Sequence, residues 1–336
     1  MKELPEVSIL IITRNRRSLL KETLKAIWAL DYPDDRLEVV VVEETDHPER
    51  IEGVRYIPIP VANRGYAYAR NVAVKNSTKE FIAFLDDDCI PAKKWLRELV
   101  SCFSEHVGGV AGSFLVKDSN TIGYCENALG IPGMGLLRIK EAGGNVIPTR
   151  SLSTGNCAYR KKAVQEAGNF DETLVCGGED QDLGLRVSDR NACVFNPRAV
   201  VYHRPYGSFT RILKRFVKRG RASIFLEKGM LPGFSLIKNS LSLRLLLVVI
   251  ILYPAGGLHL LSIAGLYVFY YLFLLHRYAY QYRMNGNIRA VFLTPLVKHC
   301  MDLGMELGIL SGLFMKILTR SGYRFCVPCH SKNENT

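Results

Sequence analysis

Phe81-Ile82-Ala83-Phe84-Leu85-Asp86-Asp87-Asp88 is an unbroken apolar run that ends abruptly in three carboxylates. Five apolar residues bounded by a polar turn suit a fully buried strand, too short for a helix. The acidic triplet then stands at the carboxyl end of that strand. Upstream, Val7-Ser8-Ile9-Leu10-Ile11-Ile12 and Leu37–Val42 repeat the pattern, and Val54-Arg55-Tyr56-Ile57 is a shorter strand. Between them Leu19, Leu20, Leu24, Ile27 and Trp28 recur at helical spacing, as do the residues of Ala67–Val74. Strands alternating with helices predict an α/β fold with a mostly parallel sheet and right-handed crossovers. In such sheets ligands bind beyond the carboxyl ends of the strands, where the triplet falls.

Downstream, Pro91–Phe103 reads as a helix, Asn156-Cys157-Ala158-Tyr159 as a strand and Lys161–Ala167 as a short helix. Leu183–Asp189 continues as a helix, and Cys193–Tyr202 as a late strand that leads into His203. From Gly108 to Arg150 the chain is rich in glycine and shows no clear period. A second acidic cluster, Gly177-Gly178-Glu179-Asp180-Gln181-Asp182, opens the helix at 183. Acidic residues there complement the helix dipole, which describes Asp182 well. A general base for an acceptor hydroxyl is the other reading of Asp180.

The 336 residues carry a net charge of +12, and the excess is local. Arg204–Arg244 holds ten Lys/Arg and one acidic residue, Glu227, immediately before residues 245–275, which contain no Lys, Arg, Asp or Glu. A basic run beside an apolar block fits the cytoplasmic flank of a membrane segment, and no nucleic-acid module accompanies it. Pro254-Ala255-Gly256-Gly257 interrupts the block, and basic residues flank both ends, so a hairpin over about 241–277 is expected, with one kinked span as the alternative. Over 291–318, Lys298, Asp302 and Glu306 share one helical face amid apolar residues. That helix is expected to lie in the interface, or to turn its polar stripe inward. Nine scattered cysteines suit a reducing compartment, and Cys326-Val-Pro-Cys329 is a lone pair without a partner pair.

Transfer from a nucleotide sugar must neutralise a diphosphate leaving group, and a divalent cation on strand-end carboxylates does so. Residues from about 7 to 225 resemble the family 2 glycosyltransferases. The resemblance is carried, in order, by Thr13-Arg14-Asn15, Asn63-Arg64-Gly65, Ala69-Arg70-Asn71, Asp86–Asp88, Asn156, Phe170-Asp171-Glu172 and Glu179-Asp180. It implies a GT-A (Rossmann-like) catalytic fold and inverting transfer. Thr13, Arg14 and Glu43 correspond to nucleotide contacts; the family more often has Asp where this chain has Glu43. Arg70, Asp86, Asp87 and Asn156 would line the donor, and Asp88 and His203 would hold the metal, Mn²⁺ or Mg²⁺. Asp180 would be the base, with Glu179 supporting a bound sugar. Arg215, Lys218, Arg219 and Arg221 stand where relatives close a basic motif over the diphosphate. Gly220 replaces the Trp that processive synthases carry there.

The resulting expectation is a GT-A catalytic domain over 1–225, membrane-associated helices over 226–320 and a polar tail over 321–336. Its donor would be a UDP- or GDP-sugar, and its acceptor a hydroxyl of a lipid-linked or membrane-proximal glycan. It would sit on membrane lipids with the catalytic domain in the cytoplasm. A polyprenyl-phosphate acceptor is the nearest alternative, since a phosphate needs no base. A nucleotidyltransferase should open with a glycine-rich phosphate loop, which Thr13-Arg14-Asn15-Arg16-Arg17 lacks. A non-catalytic membrane scaffold would have no use for two intact acidic clusters.

Overall fold

A computed structural model describes residues 3–62, 64–131, 133–174, 177–226 and 259–318. The chain divides into two compact units. The first comprises residues up to Lys117 and Gly130–Arg204; the second comprises Asp118–Leu129 and the residues from Pro205 onward.

The first unit is built on a nine-stranded sheet. β1 (Val7–Thr13), β2 (Leu37–Glu44), β3 (Arg55–Ile59) and β4 (Phe81–Leu85) form its first half in the order β3-β2-β1-β4, all parallel. These are the strands read from apolar runs, and β1, β2 and β4 are almost wholly buried, as strands covered on both faces must be. α1 (Arg17–Ile27) turns Leu20, Leu24 and Ile27 onto one face of the sheet. α2 (Tyr66–Asn76) covers the other with Ala67, Ala69, Ala73 and Val74. Because the strands run parallel, Thr13, Glu43 and Asp86 emerge at one edge.

The second half departs from a mostly parallel sheet. β5 (Cys89–Pro91), β6 (Val107–Leu115), β7 (Ile147–Pro148), β8 (Asn156–Arg160) and β9 (Ala192–His203) complete the order β4-β8-β6-β9-β5, with β7 on β9. β8 runs antiparallel to both β4 and β6, and β5 and β7 antiparallel to β9; only β6 and β9 are parallel. The helix expected from Pro91 is shorter, α3 (Trp95–Val100), because Cys89–Pro91 pairs with β9 first.

β6 is the strand hidden in the glycine-rich stretch. Its sequence, Val-Gly-Gly-Val-Ala-Gly-Ser-Phe-Leu, has poor strand propensity. Packing decides otherwise: a Cβ on Gly112 would fall 2.3 Å from the Ala199 carbonyl oxygen and 2.4 Å from Asn156 Oδ1. Only glycine admits that approach. α5 (Leu136–Ala142), after α4 (Thr121–Ala128) of the second unit, precedes β7. α6 (Lys161–Glu166) follows β8, and α7 (Glu179–Ser188) leads into β9. α7 begins four residues earlier than its apolar period suggests. Gly177 and Gly178, at φ of 102° and 94°, make the turn before it.

The second unit contains α4, α8 (Phe209–Leu226), α9 (His259–Tyr278), α10 (Gln281–Asn285) and α11 (Ile288–Leu318). The residues 205–225 expected to end the catalytic domain therefore pack with the C-terminal helices. α8 and α11 touch through glycines. A Cβ on Gly220 would lie 2.2 Å from the Met305 carbonyl oxygen, and one on Gly308 would lie 2.2 Å from that of Val217. Gly220 thus has a packing reason of its own. α11 turns its polar stripe inward: Lys298 pairs with Asp302, and Glu306 is buried. Ile288, Phe292, Leu296, Leu303, Leu307, Leu310 and Phe314 are exposed. Among the described residues no helix is long and apolar enough to cross a membrane. Of the expected hairpin over 241–277, residues up to 258 lie outside the described residues, as does the tail from 319 with Cys326 and Cys329.

Candidate active site

The acidic triplet does not act as three equal carboxylates. Asp87 turns inward, where the Thr13 hydroxyl donates to its Oδ2 at 2.6 Å and Arg16 Nη1 lies 3.2 Å from its Oδ1. Its carbonyl oxygen accepts from the Thr23 hydroxyl at 2.9 Å. Burial pushes the Asp87 carboxyl up, and the Arg16 charge pulls against it. These bonds tie the β4 loop to β1 and α1. Thr13 and Asp87, both expected at the donor, are buried, and the Thr13 hydroxyl is spent on Asp87.

Asp86 and Asp88 do converge. One oxygen of each, with Cys89 Sγ, lie within 4.8 Å of one another. Burial pushes the Asp86 carboxyl up to about 7, the Asp88 charge adds to the rise, and Arg70 opposes it. Gly155 closes over this carboxylate, since a Cβ there would fall 2.6 Å from Asp86 Oδ2. On the adjoining strand His203 pairs with Cys89, bringing its Nε2 to 3.9 Å from Asp88 Oδ1. Cys89 is no thiolate. Burial and the three neighbouring carboxylates hold its proton well above the ordinary thiol range, and its Sγ donates to Asp88 Oδ1 at 3.8 Å. A hard divalent cation would take the Asp86 and Asp88 oxygens, with an imidazole nitrogen beside them, in preference to a protonated thiol.

Arg70 links the two acidic clusters. It rises from α2, buried, and forms an ion pair with Glu179 at the start of α7, the two side chains being 9% and 5% exposed. Asp86 and Asp180 also act on its charge. Phe170 and Tyr66 place their rings 5.8 Å and 5.5 Å from the guanidinium carbon. Glu179 Oε2 is buried and finds no hydrogen-bond donor among the described residues. Asp180, one residue on, is half-buried and accepts from the Gln181 N–H at 2.8 Å. Three carboxylates from two distant parts of the sequence thus surround one buried cation.

Other expected donor contacts belong to the framework. Glu43 is buried; Arg17 holds both its oxygens, at 3.1 and 2.6 Å, and the Tyr56 hydroxyl donates to it at 2.7 Å. Those bonds take three of the roughly four acceptor sites that a carboxylate offers. Asn156 is wholly buried as well. Its Oδ1 accepts from Trp95 Nε1 at 2.7 Å, and its Nδ2 donates to the Ser113 and Ala199 carbonyls, each at 2.9 Å. It clamps β6, β8 and β9 behind the site. Arg14 pairs with Glu44 at 3.2 Å. Arg219 lies on α8 in the second unit, over the Phe216 ring. Two residues were missed. Glu44, one place past Glu43, stays partly exposed and accepts from the Ala62 N–H. Arg16 faces Asp87 and Asp88, both at 3.2 Å. The sequence signal for Arg16 was its place in the loop after β1.

A strand-end pair of carboxylates, an acid at the mouth of a helix and a buried arginine between them define a group-transfer enzyme on an α/β sheet. Residues 8–168 match the family model described as Glycosyl transferase family 2. That match spans just under half of the chain, and with the relatives that follow it makes the protein a glycosyltransferase. It is 28% identical over 244 residues to Glycosyltransferase AglE of Haloferax volcanii, covering 69% of this chain and 77% of that one. It is 26% identical over 219 residues to the Probable glycosyltransferase YdaM of Bacillus subtilis, covering 60% of this chain and 51% of that protein, about half its length. In fold it is similar to the mannosyltransferase PcManGT of Pyrobaculum calidifontis, solved with GDP-Man and Mn²⁺. That likeness has a TM-score of 0.61 at 18% identity and covers 94% of this chain and 89% of that one.

Proposed function

We propose that the protein moves a sugar, with inversion, from a UDP- or GDP-sugar to a hydroxyl of a lipid-linked or membrane-proximal glycan. The convergence of Asp86 and Asp88 within 4.8 Å carries this reading, together with Asp180 acting on the same Arg70. The donor set fits Mn²⁺ or Mg²⁺, with Asp88 as the principal ligand, Asp86 its neighbour and His203 completing the shell. When bound, the cation supplies charge that stabilises the departing nucleoside diphosphate. Asp180 takes the acceptor hydroxyl proton as the oxygen bonds to the anomeric carbon. The bond from that carbon to the diphosphate breaks, and its electron pair leaves with the nucleotide. Glu179, held by Arg70, keeps Oε2 as an acceptor for a sugar hydroxyl.

The acceptor class rests on the second unit. α11 is inverted relative to an ordinary surface helix: Lys298, Asp302 and Glu306 face inward, and Phe292, Leu296, Leu303, Leu307, Leu310 and Phe314 face outward. Gly304, Gly308 and Gly312 recur every four residues and face the backbone of α8, a packing mode that membrane helices favour. On α8 the basic residues Arg211, Lys214, Lys218 and Arg219 are exposed, which suits anionic lipid headgroups. We therefore place the enzyme at the cytoplasmic face of a membrane. Flotation of the full chain with vesicles of anionic and of zwitterionic lipid tests this placement, which requires preference for the anionic ones.

A panel of nucleotide sugars with Mn²⁺ and lipid-linked acceptors tests the reaction. Asp88→Ala should abolish transfer, and Asp180→Asn should lower turnover by about a hundredfold or more. Near-full turnover in Asp180→Asn would move the acceptor from a hydroxyl to a phosphate.

A further inference from the structure

Three arginines follow β1, and the fold treats them differently. Arg14 is paired with Glu44 at 3.2 Å. Arg17 is locked by Glu43, Glu49 and Tyr56. Arg16, the residue immediately before α1, has a side chain 43% exposed, and its Nη1 bridges Asp87 Oδ1 and Asp88 Oδ2, each at 3.2 Å. These two contacts differ in kind. Asp87 already accepts from Thr13 and is buried, so its contact with Arg16 is an anchor. Asp88 is the carboxylate that the proposed reaction gives to a divalent cation, and its other oxygen faces Cys89 Sγ and His203 Nε2.

We propose that Arg16 is a positioning residue that competes with the divalent cation for Asp88 and, once displaced, turns its guanidinium onto the donor's diphosphate. This rests on the metal reading given above. A carboxylate shared by a guanidinium and a divalent cation brings two positive centres together in a partly desolvated site, where their repulsion is weakly screened. One of them has to yield. Arg16 is the one able to move, being long and 43% exposed, with Asp87 to hold it when Asp88 is given up. Its planar fork matches phosphate oxygens in two-point contact, which a lysine does not reproduce. The diphosphate arriving with the cation offers those oxygens beside Asp88. Loading would then be ordered: cation and nucleotide together outbid Arg16, whereas the cation alone binds against it.

The test uses the full chain, Mn²⁺ titrated by EPR, and UDP and GDP titrated by calorimetry at saturating Mn²⁺. Arg16→Gln should bind Mn²⁺ alone about tenfold more tightly, and the nucleoside diphosphates about tenfold more weakly. Arg16→Lys should keep Mn²⁺ affinity near that of the unaltered protein and recover only part of the nucleotide affinity. Opposite movement of the two affinities is the signature, because a loosened loop would weaken both. Unchanged or weaker Mn²⁺ binding in Arg16→Gln, with unchanged near-ultraviolet circular dichroism, would overturn the proposal. Asp88→Ala separates the two levels. If it leaves Mn²⁺ binding intact, the metal reading itself has failed; if it abolishes binding while Arg16→Gln changes nothing, only the role of Arg16 has failed.

Discussion

Replacing Arg70 by methionine removes the one cation among Glu179, Asp180 and Asp86 while keeping most of the side-chain volume. Arg70 and Glu179 are 9% and 5% exposed, so solvent screening gives little relief. Removing one partner of such a pair leaves a buried charge uncompensated, at about 3–5 kcal/mol. Glu179 Oε2 already finds no donor among the described residues, so none of these takes over. For a unit of this size that corresponds to a melting temperature lower by roughly 6–20 °C. Both tryptophans of the chain, Trp28 and Trp95, belong to the first unit, and Trp95 is fully buried. Urea unfolding followed by tryptophan fluorescence therefore reads this unit alone. The double variant Arg70→Met/Glu179→Met should regain most of the loss, because two apolar side chains replace the pair. A loss below about 1 kcal/mol for Arg70→Met, the range of exposed ion pairs, would refute the buried electrostatic link between the acidic clusters.

Asn156→Ala should destabilise the first unit by about 3 kcal/mol or more, since it strands the Trp95 N–H and two carbonyls; a fluorescence-monitored urea midpoint like that of the unaltered protein would contradict the clamp. Mn²⁺ affinity should rise about tenfold per pH unit up to about 7 and then flatten, because cation binding expels the Asp86 proton. Asp86→Asn should flatten that profile in a titration from pH 5.5 to 8.5. The same raised acid makes the metal-free fold lose stability from this group as pH rises from about 4 to 7, where the unfolded carboxyl is ionised and the folded one is not. Gly308→Leu should separate α8 from α11, with loss of helical circular dichroism and of the second unit's protection in hydrogen exchange, because its Cβ would fall 2.2 Å from the Val217 carbonyl oxygen.

The sequence disclosed the parallel half of the sheet because β1, β2 and β4 each carry four or five consecutive apolar residues, Ile9–Ile12, Val39–Val42 and Phe81–Leu85. It concealed β6, whose glycines lower strand propensity for the sake of a close backbone approach visible only once Ala199 and Asn156 are in place. The acidic clusters were legible from their positions at a strand end and a helix start. Their division of labour was not. Nothing in three consecutive aspartates says that the middle one turns inward to Thr13 and Arg16, which reach it across 74 and 71 residues. Glu43 and Asn156 illustrate the converse: each stands in the right order along the chain, yet Arg17, Tyr56, Trp95 and two carbonyls have already taken their polar atoms. In α11 the four-residue spacing of Lys298, Asp302 and Glu306 fixed a polar stripe, but its inward direction depends on α8, which a helical period cannot supply.

The donor site is tested most directly by calorimetric binding of UDP and GDP to the full chain with Mn²⁺, with EDTA, and in the Asp88→Ala and Asp180→Asn variants. One of the two nucleotides should bind only when Mn²⁺ is present, lose that binding in Asp88→Ala, and keep it in Asp180→Asn. Equal binding in EDTA, or full affinity in Asp88→Ala, would contradict the assignment of the strand-end carboxylates to a metal-held nucleotide.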